Sequence, residues 1–238
     1  MKKLAILVTA FLVAGSGSVW GQSFDQRVSE ARRHMRAACQ AVQKIVKAPA
    51  AEGKVIKNTA STEASEALRL WSDLAKGHAQ SVPDGYAGDP AWAQRLADIR
   101  IDIARMANEI SADEWRPAFL SCAHACSLLA TMHEANGVAL AIDAMSVLRK
   151  KVGFARGLLA AGKPEKARML VKDILAARDG VLLAPPPDTP SRNAYQEALP
   201  ELSLAVDELA GAARGGQDLK TALDRLAPLV ERVYELAI

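Results

Sequence analysis

Cys122 and Cys126 stand four residues apart in the stretch SCAHACSLLATMHEANG, Ser121 to Gly137, and His133 follows seven residues later. On a helix these three share one face, because steps of four, seven and eleven residues return to nearly the same side. Leu129 continues that stripe, Met132 lies beside it, and His124 points well away. Met35 and Cys39, also i,i+4, repeat the pattern on an earlier segment. Thiolates and thioethers are soft ligands that suit Cu(I), and with imidazole they also suit Zn(II) or haem iron. If the first and fourth helices of a bundle lie side by side, Met35, Cys39, Cys122, Cys126 and His133 form one candidate set. Cys39, Cys122, Cys126 and His133 are its metal-ligating members.

The same residues have plainer uses. Met35 and Cys39 fall on an apolar seam, where both types pack as ordinary core residues. Cys39 could form a disulfide with Cys122 or with Cys126, leaving one of the three thiols over. A Cys122–Cys126 bond would strain regular helix geometry. His133, close to a helix end, favours the macrodipole. His34 and His78 read as surface residues.

The elements that must position these groups are helices. Aromatic residues make up only 5% of the chain, and alanine, leucine and charged residues dominate, which favours helix. Ser23 and Gln26 form a capping-box pattern that opens the first helix. Val28, Met35 and Val42, with Ala31, Ala38 and Ile45 between them, give it one apolar seam up to Ala48-Pro49. A loop from Gly53 to Thr59 and a second helix from about Ser61 to Ala79 are expected to follow. Asp89-Pro90 reads as an N-cap with proline at the first helical position of a third helix, ending near Ile110. Ser111 and Glu114 make a second capping-box pattern for the fourth helix, which Asn136-Gly137 stops.

Beyond Gly137 the pattern repeats. A fifth helix runs from about Val138 to Ala161 and stops at Gly162, Pro164 opens a sixth that stops at Gly180, and a seventh starts at Ser191, with Pro200 expected to kink or break it. An eighth follows Gly215-Gly216, with Pro228 a further kink. Eight helices with short connections predict an all-α fold of two antiparallel four-helix bundles, or one eight-helix domain. The expected boundaries are a signal peptide at 1–21, an N-terminal bundle at 22–137 and a C-terminal bundle at 138–238. All histidines, cysteines and tryptophans lie before Gly137, so soft-ligand chemistry is expected in the first half.

The first residues carry a further expectation. Lys2 and Lys3, the apolar run Leu4 to Gly15 and a short polar stretch to Gly21 read as a secretory signal. The run is shorter than the roughly 20 residues a membrane span needs. The mature chain is therefore expected to be periplasmic or secreted, with no membrane span after cleavage. Removing Lys2 and Lys3 takes the formal charge from +3 to +1, and no basic stripe points to nucleic acid.

The cysteine pair near the end of a fourth helix, and the closing stretch Val206 to Ile238, resemble exported cytochromes of the cytochrome c′ type. That resemblance implies an antiparallel four-helix bundle and haem bonded through Cys-x-x-Cys-His. This chain has Cys122-Ala-His-Ala-Cys126 instead, with no histidine after Cys126. A related non-covalent arrangement, as in cytochrome b562, uses Met on the first helix and His on the last. By that likeness Met35 and His133 are the cofactor-binding pair.

No glycine-rich phosphate loop, Cys-x-x-Cys, His-Glu-x-x-His or Gly-x-Ser-x-Gly occurs. The sequence thus points away from an enzyme. It points to a non-catalytic, exported helical-bundle protein that binds an unidentified protein partner in the periplasm or associates with the envelope. The alternative is a periplasmic protein that binds copper or non-covalent haem, or transfers electrons, through the Met/Cys/His seam.

Overall fold

The computed structural model describes residues 23–45, 50–215 and 218–238. The expected signal peptide and the Ala48-Pro49 helix stop lie outside these residues. Within them the chain is all-α, with no strand. No helix among them is long and apolar enough to cross a membrane.

The first four helices are α1 (Phe24–Ile45), α2 (Ala50–His78), α3 (Trp92–Ser111) and α4 (Trp115–Ala135), with a short 3-10 turn at Asp84–Tyr86. Each packs on its sequence neighbour, and α4 returns to α1, which closes an up-down bundle. The remaining helices are α5 (Ala141–Ala160), α6 (Pro164–Met169), α7 (Val171–Leu183), α8 (Arg192–Ala213) and α9 (Leu219–Leu236). Leu170, itself in the α region, is the one-residue break between α6 and α7, so the two act as one bent rod. Here α9 returns to α5 and closes a second ring.

Two separate apolar cores result. One gathers residues of α1 to α4, the other residues from Ala141 onwards. The seam expected on α1 is the buried one: Val28, Ala31, Met35, Ala38 and Val42 are at most 1% exposed. Trp71 anchors α2 to α3, its indole N–H donating to the Leu96 carbonyl at 2.9 Å inside the core. Phe24, Tyr86 and Trp92 pack edge-on and tilted at 4.8–5.2 Å and close one end of the first bundle.

The helix ends follow local chemistry. Ser23 and Gln26 cap α1 reciprocally, at 2.8 and 3.2 Å. Gly137, at φ +65°, ends α4 while the Val138 N–H reaches back to the His133 carbonyl.

Three expectations need correction, and a fourth in part. The loop from Gly53 to Thr59 is helical, because Ile56 extends the stripe of Ala60, Ala64, Ala67, Trp71 and Leu74 into the same core. That packing outweighs the roughly 1 kcal/mol that Gly53 costs a helix. Ser111 and Glu114 form no capping box: Ser111 belongs to α3, its hydroxyl bonded to the Ala107 carbonyl, and Asp113 makes the turn at φ +62°. Gly180 does not stop its helix, which runs to Leu183. Pro200 and Pro228 lie inside α8 and α9, so the break allowed for at Pro200 does not occur. Both prolines are exposed, as are Gln196 and Asp224 four residues before them, so water can take up the freed carbonyls.

Candidate functional site at the seam between the bundles

Helix α1 has two working faces. One is the apolar seam of the first core. The other carries Arg32, Arg36 and Gln40 one turn apart and turns to the second bundle. Arg32 is 2% exposed, and its Nη1 donates to Asp143 Oδ1 of α5 at 2.5 Å. Its Nη2 donates to the Ser146 hydroxyl at 3.2 Å. The Arg36 guanidinium pairs with Glu235 and lies 4.0 Å from the centre of the Tyr234 ring on α9. Arg149 of α5 sits near the same ring at 5.1 Å and donates to Glu231 at 2.6 Å. The contact between bundles is thus polar and charged, unlike the two cores it separates.

Asp143 joins three helices. Its second oxygen accepts from Nδ1 of His133 on α4 at 2.5 Å, and that imidazole is 1% exposed. Burial alone would raise the Asp143 pKa. The His133 hydrogen bond and the Arg32 charge outweigh it and hold the carboxyl at about 2. An ionised Asp143 requires His133 Nδ1 to carry the proton. The other ring nitrogen, Nε2, is buried without a partner among the described residues.

Against this network lies the sulfur cluster. Cys39 of α1 and Cys122 of α4 stand at disulfide distance, Cα atoms 6.3 Å apart, and are bonded. Cys126, one turn along α4, is the free thiol. Burial pushes its pKa up in spite of the nearby Arg32 and Lys150 charges. All three sulfur residues line one cavity of about 270 Å³. Arg32, Arg36 and Gln40 form its α1 wall, and Phe119, Ala123 and Ala130 share the α4 wall with the cysteines. Asp143, Val147, Arg149 and Lys150 of α5 and Tyr234 of α9 complete it. The cavity therefore exists only where the two bundles meet.

The residues singled out from the sequence divide accordingly. Cys39, Cys122 and Cys126 come together as the side-by-side packing of α1 and α4 requires. Met35 is fully buried in the first core and His133 is tied to Asp143, and neither lines the cavity. The expected metal set changes too. The disulfide takes up two thiols, and no group of three or more metal-ligating side chains is assembled among the described residues. A thiolate set of Cys39, Cys122 and Cys126 is available only to the reduced protein. Of the other histidines, His34 meets Glu63 at 2.6 Å and His124 meets the buried Asp102 at 2.5 Å.

The cysteines all come from the first half, as the sequence requires, but the cavity they line is not built from that half alone. The second half supplies Asp143, Arg149, Lys150 and Tyr234. One signal was available: Arg32 and Arg36 have no acidic residue three or four places away on their own helix. Cations on a helix without local partners look for partners elsewhere. Compared with protein-family models, curated proteins and solved structures, the chain matches none.

Proposed function

We propose that this chain is a non-catalytic binding protein of an oxidising, extracytoplasmic compartment, and that its ligand site is the cavity between the bundles. The observation that carries this reading is the convergence of α1, α4, α5 and α9 on one cation-lined cavity beside the disulfide. A polar seam with a cavity at its centre is a common place for a small-molecule site. The export-type leader in the sequence and the disulfide both fit an oxidising compartment. The non-catalytic reading rests on the sequence, which carries no glycine-rich phosphate loop, Cys-x-x-Cys, His-Glu-x-x-His or Gly-x-Ser-x-Gly.

The test uses decanoate, decanol and decylamine as probes of three charge types. Ala123 lines the cavity from an exposed position, so Ala123→Trp fills it without disturbing the core. At least one probe should raise the Tm of the wild type, as a native-state ligand must. None should raise that of Ala123→Trp. The same response in both proteins sinks the reading.

A second reading rests on the three sulfurs. Reduced, Cys39, Cys122 and Cys126 would be soft ligands for Cu(I). Competition against a chromogenic Cu(I) chelator tests it. Tight binding after reduction, lost in Cys126→Ser, supports copper, whereas equal binding by a variant lacking all three thiols rejects it.

A further inference from the structure

We infer that the ligand of the inter-bundle cavity is a small amphipathic anion, a carboxylate carried on a short chain or a single ring; this rests on the binding reading above.

The charge of the wall points there. Four cationic side chains, Arg32, Arg36, Arg149 and Lys150, face one carboxylate, Asp143. That carboxylate is already shared by Arg32 and His133. Arg36 and Arg149 pair with Glu231 and Glu235 of α9, which do not line the cavity. Lys150 has no carboxylate within 4 Å among the described residues and is exposed at the wall. An incoming carboxylate finds an unpaired ammonium here, beside guanidiniums able to share a further oxygen. An incoming cation finds only repulsion and an acid that is already taken.

Apart from the polar groups of Gln40, Gln43, Ser146 and Tyr234, the rest of the wall points to an apolar body. Phe119, Val147, Ala123 and Ala130 offer no hydrogen-bonding side-chain group, and the free thiol of Cys126 behaves as a small hydrophobe. Inorganic phosphate or sulfate would leave that surface uncovered. At about 270 Å³ the cavity falls just below the usual range of small-molecule sites, about 300–1,000 Å³, which limits the body to one ring or a short chain.

Isothermal titration of the full mature chain with decanoate, decanol and decylamine tests the inference. Decanoate should bind most tightly. Lys150→Glu, an exposed change that leaves both cores intact, should weaken decanoate by about tenfold or more and weaken decanol little. Ala123→Trp should abolish binding. If decanol or decylamine binds as tightly as decanoate and is lost in Ala123→Trp, the anion assignment falls while the cavity remains a binding site. If no probe binds, both fall.

Discussion

Arg32 on α1 is held across the seam by Asp143 on α5, Nη1 to Oδ1 at 2.5 Å, with the guanidinium almost wholly out of water. Breaking a buried pair by removing one partner leaves an uncompensated charge, which costs about 3–5 kcal/mol. Asp143→Asn keeps the volume and removes the charge, so it should lower unfolding stability by an amount of that order. Urea titration measures it. A loss below about 1 kcal/mol, the size of a surface pair, would mean the pair does not hold the seam.

Acid should act through the same carboxyl. Folding holds Asp143 at about 2, below its ordinary 3.8. The contribution is complete above about pH 5, where both folded and unfolded chains are ionised. As pH falls toward about 2 the unfolded chain takes the proton first, and roughly 2 kcal/mol is lost. Melting curves across that window should show the wild type losing this increment and Asp143→Asn failing to lose it. Parallel acid curves for the two proteins would contradict the assignment.

Peptide mapping without reductant should recover Cys39 linked to Cys122, with Cys126 alone alkylated after denaturation. The bond spans 83 residues, and a loop of that length contributes about 2–5 kcal/mol, mainly by restricting the unfolded chain. Reduction, or Cys39→Ser with Cys122→Ser, should lower stability by that order. A Cys126-containing bridge in the map would reassign the pair.

Trp71 tests the first core on its own. Trp71→Phe removes the indole hydrogen bond to Leu96 and should cost about 1 kcal/mol. Trp71→Ala empties a fully buried site and should cost about 3–5 kcal/mol. Equal losses for the two variants would show that the hydrogen bond, not the packing, anchors α2 to α3.

Much of this architecture is legible in the residues themselves. The α1 seam and its Ser23–Gln26 cap follow from spacing and from local hydrogen bonding, which act within one helix. So does the stop at Gly137. The missed helix at Gly53 to Thr59 shows the limit of punctuation. Gly53 and Thr59 disfavour helix locally, yet Ile56 has a core to enter. The cysteines were legible as a cluster because packing α1 against α4 follows from an up-down bundle. Which two of them bond depends on the register between those helices, and no residue type encodes that. Arg32, Arg36 and Asp143 escaped because each meets its partner more than a hundred residues away or across a second bundle, where helical periodicity carries no information.

Amide NMR of the labelled protein titrated with decanoate decides whether the ligand sits between the bundles. Saturable shifts should cluster on α1, α4 and α5 together, around Arg36, Cys126 and Lys150. Shifts confined to one bundle, or gathered around exposed apolar residues such as Phe154 and Leu183, would contradict that placement.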